Sequence, residues 1–345
     1  MTGRVRIGFV GVGNMGQGAH LRNYVTVPEC EVVAIAELRP GLREAVAHKY
    51  GIARTYPNAD EMIAAEKLDG IVAIQPFDLH GVFLPRLYKA GIPVLTEKPL
   101  ASSIPDAERI LSALADSGTW HMVGYHKRSD PATMYAKAEV EHLKATRELG
   151  ALKYVRITMP AGDWVANGFR EIVRSDEKWE RPSSDAAPIS GKPYIEFVNY
   201  YIHQVNMLRH LLGEPYKVTF ADPSGVILAA TSQSGVAGII EMSPYRTTVD
   251  WHESALVAFE RGWVKIELPA PLTVNRPGRV EVYRDPGSGE TPMLQTPSLP
   301  WNHAMYQQAV NFIRAVKGEI APLCTAQEAL LDLKNAREYR DLMEK

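Results

Sequence analysis

The sequence predicts an α/β protein in two parts, a doubly wound parallel sheet at the N-terminus and, behind it, an α+β region with a large, mostly antiparallel sheet. Three observations predict this. Residues 5–10, Val-Arg-Ile-Gly-Phe-Val, are a short apolar run rich in β-branched side chains, as a strand buried on both faces requires. The run leads into Gly11-Val12-Gly13-Asn14-Met15-Gly16, and four further apolar runs follow by residue 124, with helical stretches between them. Beyond residue 212, short alternating runs are separated only by Gly, Pro and Asp, which is the spacing of antiparallel strands.

The elements follow in order. Helical character over 15–27 is closed by Pro28. A second strand, 32–36, ends at Glu37, and Pro40 stops the ladder. Helix 42–50 ends at Gly51, residues 60–67 form a turn or two of helix, and 71–74 is the third strand, broken by Gln75-Pro76-Phe77-Asp78. Helix 79–90 ends at Gly91, and strand 93–96 runs into Glu97-Lys98-Pro99. Helix 105–117 carries proline in its first turn, and 120–124 is the fifth strand. The texture changes near Arg128, so the domains are read as 1–128 and 129–345.

In the second part, helix 133–149 and strand 152–159 precede an irregular segment, 161–192, long enough to suggest a task of its own. A long helix, 194–212, follows, then strands at 217–220, 226–230, 236–242, 254–259, 264–268 and 279–283. Residues 286–300 read as a surface loop. Helices 303–317 and 325–344 close the chain, the last with Thr325 and Glu328 at capping-box spacing.

Composition bounds the function. The 345 residues carry a net charge of -2, with 46% hydrophobic and 23% charged residues, so no broad basic surface points to nucleic acid or an anionic membrane. Cys30 and Cys324 have no metal-type spacing and read as buried thiols of a reducing compartment. The chain enters its first strand at once and has no apolar stretch approaching a membrane span, so a cytoplasmic protein is expected. His252 and His303 lack partners at ligand spacing, and no catalytic metal is expected.

The glycine run then acquires a meaning. After a buried strand, its glycines allow a tight turn and a close backbone approach to a diphosphate, while the following helix offers free N–H groups and a positive dipole end. Glu37 lies 21 residues after Gly16, at the end of the second strand, where a carboxylate accepts hydrogen bonds from an adenosine ribose. Strand, glycines, helix and acid in that order read as a Rossmann dinucleotide site. Glu37 favours NAD over NADP because it would repel a 2′-phosphate, although Arg39 beside it could bind that phosphate or stack on adenine.

Pro93-Val94-Leu95-Thr96-Glu97-Lys98-Pro99-Leu100-Ala101 closely resembles the Glu-Lys-Pro signature of the glucose–fructose oxidoreductase / inositol dehydrogenase (Gfo/Idh/MocA) family. Other pieces are similar and fall in the family's order. Pro76 with His80 resembles its segment after the third strand, Gly124-Tyr125-His126-Lys127-Arg128 its segment after the fifth, and Asn199-Tyr200-Tyr201-Ile202-His203 its Asp-x-x-x-His element. The resemblance covers nearly the whole chain. Asn199 departs from it, standing where the family usually has an aspartate; an amide holds a sugar hydroxyl or orients His203 but accepts no proton. The long 161–192 segment is a second departure from shorter members.

The resemblance implies an NAD-dependent oxidoreductase acting on a secondary hydroxyl of a sugar, glycoside or cyclitol, with Lys98 hydrogen-bonding that hydroxyl and His203 shuttling its proton. Around the cofactor it and the strand ends place Gly11, Gly13, Asn14, Met15, Gly16, Glu37, Arg39, Gln75, Pro76, His80, Glu97, Lys98 and Arg128. Glu97 is expected either to anchor the nicotinamide ribose or to pair with Arg128, and Lys98-Pro99 is a candidate cis peptide. Substrate candidates besides Lys98 and His203 are His126, Trp164, Arg170, Asn199 and Tyr200, since aromatic faces pack on sugar rings while amides, imidazoles and guanidinium groups bond hydroxyls. Two alternatives stand beside this reading: a redox-neutral, NAD-dependent glycoside hydrolase that oxidises, eliminates, hydrates and re-reduces, and a non-catalytic NAD-binding sensor. Apolar residues along the second sheet lead to the expectation of a homodimer or homotetramer formed through it.

Overall fold

The computed structural model describes residues 3–181 and 191–345. They form two compact units, one of residues 1–125, 167–195 and 305–333, the other of residues 126–166, 196–304 and 334–345. Residues 167–195 and 305–333 return to the first unit from beyond residue 128, where the sequence places a single boundary.

In the first unit, strands β1 (Val5–Val10), β2 (Cys30–Ala36), β3 (Arg54–Tyr56), β4 (Gly70–Ala73), β5 (Val94–Glu97) and β6 (His121–Gly124) form a parallel sheet in the order β3-β2-β1-β4-β5-β6. That is the doubly wound order, and the crevice outside its carboxyl edge lies where the order reverses, beside β1. β3 escapes the sequence reading because Arg-Thr-Tyr is three residues long and carries no apolar run. The first helix differs from expectation: it opens as a π-helical stretch, Gly16–Leu21, and continues as the single turn α1 (Arg22–Tyr24). π-Helical turns of this kind often mark functional positions. Helices α2 (Pro40–Tyr50), α3 (Ala59–Ala65), α4 (His80–Tyr88) and α5 (Ile104–Ala115) complete the crossovers. A core of Ile7, Phe9, Tyr24, Ile35, Val72 and Leu95 packs with Phe312, whose ring meets Tyr24 and Trp120 edge-on.

In the second unit, α6 (Pro131–Thr146) is followed by β7 (Leu152–Ala161). The expected long helix is two, α7 (Gly191–Tyr200) and α8 (Ile202–Leu212), because Tyr201 sits at φ -96°, ψ -3° between them. Strands β8 (Tyr216–Ala221), β9 (Ile227–Ser232), β10 (Ala237–Arg246), β11 (Glu253–Phe259), β12 (Gly262–Leu268), β13 (Arg279–Arg284) and β14 (Met293–Gln295) complete an eight-stranded sheet, ordered β14-β13-β12-β11-β7-β10-β9-β8. β14 falls inside the stretch read as a surface loop; its three residues are all exposed. The sheet is mostly antiparallel, but β7 inserts between β11 and β10 and runs parallel to β10. Spacing along the chain assigns neighbours that are adjacent in sequence, and β7 pairs with strands far downstream. α9 (Ala304–Val316) and α10 (Ala326–Met343) close the chain, and the Glu328 amide donates to Thr325 Oγ1 at 3.3 Å while the Thr325 amide donates to Glu328 Oε2 at 2.9 Å, a complete capping box. Cys30 and Cys324 are buried and not joined in a disulfide, and no helix among the described residues is long and apolar enough to cross a membrane.

One buried side chain gives the first unit a pH dependence. His121 in β6 is 1% exposed and shares hydrogen bonds with the Tyr88 hydroxyl at 2.7 Å and Thr96 Oγ1 at 2.9 Å. Burial, assisted by repulsion from His80, pulls its pKa down to about 3. The unfolded chain therefore binds a proton that the folded chain refuses, and stability falls as pH drops below the ordinary histidine value towards 3. At pH 4 the loss from this residue alone is roughly 3 kcal/mol. His121→Gln is expected to flatten the pH dependence of the unfolding free energy between pH 4 and 7, measured by denaturant titration against the parent chain.

Candidate active site

The glycine turn divides into residues the protein needs and one it does not. Gly11 has φ +84°, and a Cβ on it would lie 2.5 Å from the Ile74 carbonyl oxygen. A Cβ on Gly16 would lie 2.4 Å from the Gly11 carbonyl oxygen. Both positions exclude a side chain on packing grounds. A Cβ on Gly13 would meet only an Arg39 Nη2 at 3.6 Å, so no protein contact demands glycine there. Bare backbone facing open space at the middle glycine is what a diphosphate needs for close approach. Asn14 is exposed and Met15 half-buried beside it.

Glu37 is buried and hydrogen-bonded. Its Oε2 accepts the Val12 amide at 3.1 Å, tying the end of β2 to the turn, while Arg39 donates Nε to Oε1 at 2.8 Å and Nη2 to Oε2 at 3.1 Å. That bidentate bond raises the Arg39 pKa above its ordinary value, against partial burial. Gln75 donates Nε2 to the Val10 carbonyl at 2.8 Å, and its buried Oε1 has no partner among the described residues, a free acceptor in the same crevice. Pro76 is exposed. His80 is fully buried at the start of α4, with Nδ1 bonded to the Leu100 carbonyl at 3.0 Å; burial lowers its pKa, so the ring is neutral and steadies the loop that carries Lys98.

Lys98 is half-buried at the end of β5, and the Lys98-Pro99 peptide is cis. Glu97 before it is buried, and its carboxylate bonds His20 Nε2 at 2.7 Å and the Lys98 amide at 3.2 Å. His20, on the π-helical stretch, is a residue that the sequence did not single out. Its only signal was a position four residues beyond Gly16.

In the second unit, His126 and His203 come together with ring centroids 4.6 Å apart, edge to face. His126 is buried and His203 half-buried in the first turn of α8. Arg128, read from sequence as a cofactor or Glu97 partner, is buried here and donates Nε to Asn206 Oδ1 at 2.7 Å. Lys127 forms a buried ion pair with Glu253, which also accepts Gln204 Nε2 at 2.7 Å and Trp251 Nε1 at 3.2 Å. Burial lowers the Lys127 pKa and Glu253 opposes the shift. No spacing signals this pair, since its members lie on different elements far apart in sequence. Asn199 is exposed near the end of α7, Tyr200 is half-buried with burial raising its phenol pKa, and Trp164 is 38% exposed. A shallow depression is lined by His126, Lys127, Asp130, Glu253, Arg276 and His303; of the substrate candidates, only His126 lines it. Arg170 is exposed and belongs to the first unit, so the structure assigns Trp164 and Arg170 to different units. Among the described residues no group of three or more His, Cys, Asp or Glu is placed to hold a metal ion.

A doubly wound sheet with this glycine turn and acid is the architecture of a dinucleotide-binding domain. Residues 5–125 match the model of an oxidoreductase family with an NAD-binding Rossmann fold (GFO_IDH_MocA). The chain is 27% identical to inositol 2-dehydrogenase of Rhizobium meliloti over 96% of its length and 95% of that protein's. Solved structures of the same fold include aldose-aldose oxidoreductase of Caulobacter crescentus (TM-score 0.71, 18% identity, 99% and 98% of the two chains) and levoglucosan dehydrogenase in complex with NADH and levoglucosan (TM-score 0.73, 16% identity, 99% and 97%). Over residues 5–125 the chain thus carries the NAD-binding Rossmann fold of that oxidoreductase family, and over nearly its whole length it is similar to an inositol 2-dehydrogenase.

The bareness of Gly13 is testable. Gly13→Ala is expected to keep the parent's unfolding midpoint and to weaken NADH binding at least tenfold, read by fluorescence titration. Gly16→Ala is expected to lower the midpoint itself, because its Cβ overlaps a backbone oxygen.

Proposed function

We propose that this protein is an NAD-dependent dehydrogenase acting on a secondary ring hydroxyl of a cyclitol or sugar. The observation that carries the proposal is the Glu97-Lys98-Pro99 loop at the end of β5, in a chain similar over nearly its whole length to an inositol 2-dehydrogenase. When bound, the nicotinamide supplies the hydride acceptor. Lys98 donates a hydrogen bond to the reacting hydroxyl, and its positive charge stabilises the alkoxide as hydride leaves the carbon. His203 takes the hydroxyl proton, with the His126 ring edge-on to it limiting its rotation. Asn199 is assigned to hold a neighbouring hydroxyl, since an amide donates and accepts but does not take a proton. Trp164, Arg170 and Tyr200 remain assigned to substrate contact. Glu97, fixed by His20, is assigned to the nicotinamide ribose, and Glu37 to the adenosine ribose. NAD is favoured over NADP because Glu37 already occupies the Arg39 guanidinium, leaving it less available to a 2′-phosphate.

The reading places the enzyme in the cytoplasm, consistent with Cys30 and Cys324 not being joined in a disulfide. It also makes the enzyme a homodimer or homotetramer. Half-buried Ile239, Leu256, Trp263 and Tyr283 supply apolar surface on the second unit's sheet, where Trp263 and Tyr283 stack with centroids 5.8 Å apart. Sedimentation at micromolar concentration is expected to show a dimer or tetramer, and a monomer would contradict this assembly.

Incubation with NAD and a panel of inositols and aldoses is expected to release NADH in proportion to product. Lys98→Met is expected to reduce turnover about 10²–10⁴-fold while retaining NADH binding. Full activity of that variant would overturn the assignment. Glycoside cleavage with bound NAD and no NADH accumulation would instead establish the redox-neutral hydrolase, and tight NAD binding with no turnover of sugars or glycosides would establish a sensor.

A further inference from the structure

The segment 167–181 leaves the second unit's stretch of chain and packs on the first unit, at the corners that follow β1, β2 and β4. After β1, the buried Gln17 side chain binds Val173 as a strand would, accepting its amide at 2.8 Å and donating to its carbonyl at 3.1 Å. Phe169 covers Gly18 so closely that a Cβ there would lie 2.6 Å from its ring, and Arg22 donates to the Gly168 carbonyl at 3.2 Å. After β4, Arg181 pairs with Asp78. After β2, Glu177 accepts the Gly41 amide at 3.0 Å and the Leu42 amide at 2.8 Å, with Ser175 Oγ donating to the same carboxylate at 3.0 Å.

That last corner is unusual in its charge. Arg39 and Arg43 stand there with the first free amides of α2, the groups that a 2′-phosphate would seek. The Arg39 guanidinium and the two amides are each claimed by a carboxylate, and Arg43 by a backbone carbonyl. Glu37 holds the Arg39 guanidinium through two bonds and the Arg43 Nη1 through its carbonyl, at 2.8 Å. Glu177 holds the two amides and lies close enough to Arg39 for each to stabilise the other's charge.

We propose that Glu177 is a specificity-determining residue that excludes NADP: carried in by the 167–181 segment, its carboxylate occupies the amides at the start of α2 and adds a second negative charge beside Arg39, where a 2′-phosphate would bind. The proposal rests on the dinucleotide reading of the glycine turn. It differs from a purely structural cap, which would affect both nucleotides alike. The 2′-hydroxyl of NAD carries no charge and meets no such repulsion, while the 2′-phosphate of NADP meets both Glu37 and Glu177.

The test is the ratio of NADPH to NADH dissociation constants for the full-length chain, read by nicotinamide fluorescence, with unfolding midpoints measured alongside. Glu177→Gln is expected to lower that ratio at least tenfold, mainly by tighter NADPH binding. Ser175→Ala, which only loosens the carboxylate, is expected to lower it about threefold, and decides the matter should the first variant fail to fold. A ratio within twofold of the parent's in a folded Glu177→Gln chain overturns the proposal, as does a parent chain that binds NADPH as tightly as NADH. A parent chain that binds neither nucleotide overturns the dinucleotide reading, and this proposal with it.

Discussion

The constraint on which the carboxyl edge of the parallel sheet depends is the close approach of backbone at Gly11. Its α-carbon faces the Ile74 carbonyl at the end of β4, and its own carbonyl faces Gly16, both at distances no side chain would permit. Three side chains then lock the turn. Glu37 accepts the Val12 amide, Gln17 donates to the Val12 carbonyl at 2.8 Å, and Gln75 donates to the Val10 carbonyl. The bare backbone at Gly13 is therefore presented by a hydrogen-bonded frame, which lowers the reorganisation a ligand must impose on the loop.

Behind each proposed catalytic loop lies a buried acid–base pair that sequence reading did not identify. His20 holds Glu97, immediately before Lys98, and Glu253 holds Lys127, immediately after His126. Taking such pairs out of water costs more than it returns unless their remaining hydrogen bonds are met. Glu253 meets that condition through Gln204 and Trp251, and Glu97 through the Lys98 amide. The arrangement fixes backbone next to the residues proposed for the chemistry, where a displacement of an ångström would reduce rate most.

The 167–181 segment shows how a chain-distant piece can alter a fold motif. An irregular stretch of this length suggested a task, and the sequence reading gave its Trp164 and Arg170 to the substrate. Residues 182–190 of that stretch lie outside the described residues. The rest, from Asn167, packs on the first unit through Gln17, Gly18, Arg22 and the start of α2. Its effect falls on the corner where adenosine specificity is set in folds of this order.

Local rules made much of this legible from sequence. Buried strands announced themselves by apolar β-branched runs, the end of α2 by Gly51, and the last helix by its Thr325–Glu328 box. The glycine turn and the strand-end positions of Glu37 and Lys98 followed, because these depend on residues close together in the chain. β3 and β14 were too short to carry a pattern, and the parallel partnership of β7 with β10 crosses some eighty residues. His20 with Glu97, Lys127 with Glu253, and Glu177 with the start of α2 were decided only in three dimensions. The physical reason is that backbone preference and hydrophobic period are set by neighbours in sequence, whereas these contacts are set by which elements the packing of each unit brings together.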